Sequence, residues 1–271
     1  MIGLIRCVAV MVVIAISLSL FFCALHCINY SNYINYSNYS NYISIMSLLH
    51  SSLLFSIVVQ IVTGVIEVLA MFVKTPPGMT LIKQLLGLEV AVQVVEGSFY
   101  AWLYYNINTV KNITPKRYAD WAITTPTMLV TLVAYIIYLN SKETQALSLP
   151  QILREYAVPI AQILGLNWLM LLFGYLGEVG VIPLVAGVAI GFLPFIAYFY
   201  IIYERFIHNA QTPNNTAMQI YAYFLVAWSL YGIVAVLPYA LKNTIYNVLD
   251  LFSKNFFGIF LSYLIVVNPT V

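Results

Sequence analysis

Charge is what this sequence has least of. Only 7% of its 271 residues are Asp, Glu, Lys or Arg, and they leave a net charge of +2. A balance that small, with no basic run and no glycine-rich phosphate loop, excludes a nucleic-acid-binding surface or a nucleotide cradle. Cysteine is scarce as well. Cys7, Cys23 and Cys27 all fall within the first thirty residues, so the remaining chain can form no disulfide and offers no thiolate. His50 and His208 stand at a span end and in a polar loop, too far apart to read as a pair, and no metal site is expected. What fills the sequence instead is apolar: 62% of the residues are hydrophobic, in runs of about 20 that a soluble domain does not carry. The chain reads as a multi-pass integral membrane protein.

Its first 45 residues differ from the rest. "MIGLIR" and the apolar run to about Leu25 resemble a signal segment, and "NYSNYINYSNYSNYIS" follows with sequons at Asn29, Asn35 and Asn38. Three readings fit equally: a cleaved signal, a signal anchor, or residues upstream of a natural start at Met46. The division expected is therefore 1–45 and 46–271. From Met46 onward seven apolar spans are predicted, at 48–73, 81–105, 116–139, 152–174, 179–203, 217–240 and 243–266. Each is long enough to cross ~30 Å of hydrocarbon at ~1.5 Å per residue. The fold expected is an all-α bundle of seven transmembrane helices with an extra signal-like segment in front. Loop charges are too few and too even to orient it.

Ionisable residues at bilayer depth cost ~2.5 kcal/mol or more each and mark function by default. Lys254, in "LDLFSKNFFG", sits inside the last apolar run, between about Thr244 and Val267. Asn243, Asn247, Asp250 and Lys254 follow at 4-3-4 spacing, which puts them on one helix face. In "RYADWAITTPTMLVT", Arg117 and Asp120 are three apart and also share a face, with Thr124 a turn later. Spacing alone leaves two readings open, a structural ion-pair lock and a functional charge cluster.

These motifs resemble the microbial (type 1) rhodopsins from about residue 50 to 266. "FGYLGEVG", "IIYERF" and "AWSLYG" are similar to further segments of that family, in the same order. The resemblance implies all-trans retinal bound covalently to Lys254 as a protonated Schiff base. It makes Asp120 the primary counterion, Asp250 the second, and Arg117 an extracellular gate. Trp121, Thr125, Met128, Trp228 and Tyr231 would join Lys254 in holding the chromophore, with Met128 at the spectral-tuning position. An apolar residue there implies green absorption. The protein implied is a photoreceptor rather than an enzyme.

Three positions depart from the family's proton pumps. Thr131 stands where they carry the internal donor carboxylate, Lys242 where they carry an extracellular release glutamate, and Gly232 where they carry a proline. Conversely, Glu89, Gln93 and Glu96 share a face of the second span, with Tyr100 a turn on, and Ser56, Gln60 and Glu67 share a face of the first. Similar glutamates and an "SKN" at the lysine occur in channelrhodopsins, so Ser56, Gln60, Glu89, Glu96 and Asn255 are the expected ion pathway, with a gate at Ser56, Glu96 and Asn255. The pattern looks most like the channel-like group of viral rhodopsins from large DNA viruses. That resemblance implies a light-gated cation channel in a host-cell or internal membrane; a light-driven outward proton pump is the alternative and a sensory rhodopsin the third reading. Lipid, transported cations and further copies of the chain are the expected partners, since family members assemble as trimers or pentamers.

Overall fold

The computed structural model describes residues 38–141, 147–210 and 212–268. The signal-like run, the three cysteines and the sequons at Asn29 and Asn35 lie outside them. The chain divides into a unit up to Ser51 and one from Ser52 to Val271, and the description below concerns the second. Among the described residues there are helices and no strand, and seven helices are apolar and long enough to span a bilayer.

These spans are Met46–Met71, Pro77–Asn106, Thr114–Leu139, Ala157–Glu178, Leu184–His208, Asn215–Ala235 and Tyr239–Val267. The helix carrying the first begins earlier than expected, at Asn38. On the first span the usual amphipathic arrangement is inverted. Ser56, Gln60, Thr63 and Glu67 are buried, while Val58, Ile61, Val62, Val65 and Leu69 are exposed. Hydrocarbon solvates Val and Leu but not a carboxyl, so the polar stripe turns inward.

The fourth and fifth spans depart most from the sequence expectation. A short helix, Leu149–Glu155, ends at Tyr156, and the long fourth helix starts only at Ala157. Pro159 explains the break, because it has no N–H to donate and its ring crowds the carbonyl of Glu155. At the other end the fourth helix runs on to Glu178, and the fifth starts at Leu184 rather than 179. Gly180 ends it at φ +79°. Its N–H bonds the carbonyl of Gly177, and the N–H of Val181 bonds that of Leu176, which is a Schellman termination. The two spans pack closely through Gly187, where a Cβ would stand 2.7 Å from the carbonyl of Phe173. The sixth span ends at Ala235 and the seventh starts after Pro238, so Lys242 belongs to a helix rather than a turn.

Candidate functional site

The seventh span positions the lysine. Tyr239–Asp250 is α-helical, Leu251–Asn255 widens into a π-type turn, and the α-helix resumes at Phe256. Such insertions gather at functional sites because they re-aim one side chain without ending the helix. Lys254 is 2% exposed, and its Nζ lies 2.7 Å from Asp120 Oδ2, 3.5 Å from Glu96 Oε1 and 3.6 Å from Asp250 Oδ1. A buried ammonium is tolerable only with such company. Glu96, assigned by sequence to an ion path, is thus a third carboxylate at the lysine.

A second cation closes this cluster on one side. Arg117 is fully buried and donates from Nε to Asn243 Oδ1 at 3.0 Å. From Nη1 it reaches Asp250 Oδ2 at 3.4 Å, and from Nη2 it bonds Asn247 Oδ1. Asp250 Oδ2 also accepts from the hydroxyl of Tyr100 at 2.7 Å, and Oδ1 from that of Tyr231 at 2.8 Å. The face shared by Asn243, Asn247, Asp250 and Lys254 is therefore the one that meets Arg117 and Asp120. Asp120 Oδ2 accepts from Lys254 Nζ, and its Oδ1 has no hydrogen-bond partner among the described residues.

On the other side Lys254 ends an apolar cavity of about 780 Å³, its open mouth included. Trp121, Thr125, Met128, Trp228 and Tyr231 all line it. Trp121 meets Tyr231 edge-on, with centroids 5.6 Å apart. Sequence reasoning missed Asn167, which is buried in the fourth span and donates to Thr125 Oγ1 at 2.8 Å, fixing that wall. A lone asparagine in so apolar a span was the available signal. It also missed Phe192, whose ring lies where a Cβ on Gly232 would stand, 2.6 Å away. That contact accounts for glycine at this position, where even alanine would push on the ring.

The sequence model of the family described as "Bacteriorhodopsin-like protein" matches residues 49–268, most of the chain and all of this site. The chain belongs to that family. It is a microbial rhodopsin with similarity to viral rhodopsins. The viral rhodopsin OLPVRII is 32% identical, with TM-score 0.69 over 82% of this chain and all of that one. A green-light absorbing proteorhodopsin of Gamma-proteobacterium EBAC31A08 is 26% identical over 192 residues, 64% of this chain and 71% of the relative. Bromide-bound halorhodopsin from Halobacterium salinarum shares the fold, with TM-score 0.64 at 17% identity over 84% of this chain and 97% of that one.

Rhodopsins of this family bind retinal through a Schiff base. This rhodopsin's residues fit that group: one amine at the end of a long apolar slot, tryptophans lining it, and carboxylates behind the nitrogen. The ion-path residues are arranged differently from the expectation. Ser56 donates to the backbone carbonyl of Asn247 at 2.9 Å, and Asn255 donates to Gln93 Oε1 at 3.3 Å. The expected meeting of Ser56, Glu96 and Asn255 in one gate is not what these bonds make. The three occupy successive levels, because the second span runs antiparallel to the seventh and each turn brings a new pair together.

Proposed function

We propose that this rhodopsin is a light-gated cation channel, with Lys254 as the retinal attachment site. The observation that carries the reading is a polar column between the first, second and seventh spans. At one end Ser52 and Ser56 bond Asn247, which also meets Tyr100. Gln60, Glu96, Gln93 and Asn255 continue it, and Glu67 and Glu89 stand at the other end, all buried. Eleven residues separate Ser56 from Glu67, or ~16 Å at 1.5 Å per residue, about half the hydrocarbon thickness. Both amide atoms of Gln60, three of the four oxygens of Glu67 and Glu89, and one of Asn255 find no hydrogen-bond partner among the described residues. Helix-to-helix glue would satisfy such groups; a path for hydrated cations leaves them to its contents. Carboxyls along it favour cations over anions.

Bound retinal supplies absorption of visible light and a change of shape on isomerisation. The chain does the rest. Asp120 and Asp250 balance positive charge at the Lys254 nitrogen, with Glu96 beside them, and Trp121 and Trp228 exclude water from the slot. Arg117, held by Asn243, Asn247 and Asp250, closes the end of the cluster nearest the start of the seventh span. Because Asn255 adjoins Lys254 and bonds Gln93, a movement of the lysine is transmitted directly to the column.

The second reading is an outward proton pump, favoured by the complete set of Arg117, Asp120 and Asp250 around Lys254. Whole-cell recording under light separates the two. A channel's photocurrent reverses sign with voltage and follows swapped sodium and proton gradients, whereas currents that stay outward at every voltage would overturn the channel reading.

A further inference from the structure

The π-type turn that carries Lys254 releases one backbone group. The N–H of Phe256 bonds the carbonyl of Leu251, five residues back, where an uninterrupted α-helix would have it take that of Phe252, four back. Inside a bilayer no water is at hand for a carbonyl so released. The sixth span meets it instead. Tyr223 donates its hydroxyl to the carbonyl of Phe252 at 2.6 Å. Its ring lies tilted against that of Phe256, with centroids 5.0 Å apart, which fixes the approach. A little over two turns further on, Tyr231 donates to Asp250 Oδ1 at 2.8 Å and shares a bond with Ser253 Oγ at 2.6 Å. Two tyrosines of one helix thus hold the seventh span at Asp250, Phe252 and Ser253, immediately before the lysine. Tyr231 lines the slot and Tyr223 does not. Any influence of Tyr223 on the chromophore must therefore pass through the backbone.

We propose that Tyr223 is a positioning residue for the retinal-bearing lysine: its hydroxyl stabilises the π-type turn and so keeps Lys254 in contact with Asp120. The inference rests on Lys254 as the attachment site and is independent of whether the protein conducts or pumps. The direction of its effect follows from the geometry. Lys254 Nζ faces Asp120 of the third span at 2.7 Å, Glu96 of the second at 3.5 Å and Asp250 of its own span at 3.6 Å, while Arg117 is turned to Asp250. A distance of 2.7 Å is already the short end of the range for a hydrogen bond from nitrogen to oxygen. Relaxation of the turn can only lengthen that pair, and a longer pair holds the proton on the nitrogen less firmly.

The test replaces Tyr223 by phenylalanine, which removes the hydroxyl and keeps the ring, and by 4-aminophenylalanine, which keeps a donor in the same place. Carbonyl-labelled (carbon-13) phenylalanine with nitrogen-15 serine marks two peptide bonds of this chain, Phe55–Ser56 and Phe252–Ser253. Solid-state NMR of the retinal-reconstituted protein in the dark should show one carbonyl signal move in Tyr223→Phe and return with the amino variant, while the other stays. In the same samples the pH at which the visible band disappears should fall by up to ~1 unit in Tyr223→Phe, the order of one hydrogen bond, and recover with the amino variant. A role limited to packing would shorten the lifetime of the band on heating and leave both readings unmoved, and that result would overturn the proposal. So would a midpoint shift, or a loss of pigment, that the amino variant does not reverse. If Lys254→Ala still formed the band, the attachment reading would fail, whereas the carbonyl signal would still report the Tyr223 bond.

Discussion

Removing the charge of Asp120 should perturb the chromophore more than removing that of either other carboxylate at Lys254. At an effective dielectric constant of ~20 the gross attraction between unit charges is roughly 6 kcal/mol at 2.7 Å and roughly 5 kcal/mol at 3.5 Å or 3.6 Å. The difference, on the order of 1.5 kcal/mol, corresponds to about one pH unit. The surroundings widen it. That holds against Asp250, which divides its charge between Lys254, Arg117 and the hydroxyls of Tyr100 and Tyr231; against Glu96, whose oxygens, like one of Asp120, have no hydrogen-bond partner among the described residues, distance alone decides. Losing an adjacent negative charge lets the nitrogen release its proton more readily, so the visible band should disappear at a lower pH. The assay is a pH titration of that band in Asp120→Asn, Glu96→Gln and Asp250→Asn, each reconstituted with all-trans retinal. Asp120→Asn should move the midpoint at least one pH unit further than the other two. A larger movement in Asp250→Asn or Glu96→Gln would refute the assignment made from distance and pairing.

Lys254→Ala should form no visible band with retinal under conditions where the wild type does, and a band of normal intensity would place the attachment elsewhere. With Met128 buried in the slot and no polar group at that position, the wild-type maximum should lie in the green; a blue maximum would show that another residue sets the colour. Lys242 and Glu178 form a buried pair at 2.6 Å joining the fourth and seventh spans, so Lys242→Met alone should destabilise by ~3–5 kcal/mol. Pairing it with Glu178→Leu should restore most of that. Both are read from the lifetime of the visible band at elevated temperature, and a double variant no better than the single would deny that the ion pair is the source.

The parts of this protein that were legible in its sequence are those that a single helix decides. Apolar runs announce their own length, and the face shared by Asn243, Asn247, Asp250 and Lys254 follows from 3.6 residues per turn whatever packs against it. Breaks were legible less well. The sequence places the start of the fourth span at 152, although Pro159 forbids continuity through Tyr156, and that of the fifth at 179, because nothing in "GYLGEVG" itself says which of its three glycines ends a helix. Only Gly180 has the left-handed backbone, and Gly174 and Gly177 lie within the helix.

What could not be read was height between spans. Glu89 and Glu96 are both buried glutamates on one face of the second span, and nothing local distinguishes them. The register between the second and seventh spans does. Once Tyr100 bonds Asp250 and meets Asn247, the antiparallel run of the second span leaves no freedom. Four residues back, Glu96 arrives one turn along the seventh span, at Lys254, and three more bring Gln93 to Asn255. One tyrosine bond thus sets which of the two glutamates faces the lysine. A slip of this register by two turns would bring Glu89 to the lysine in place of Glu96.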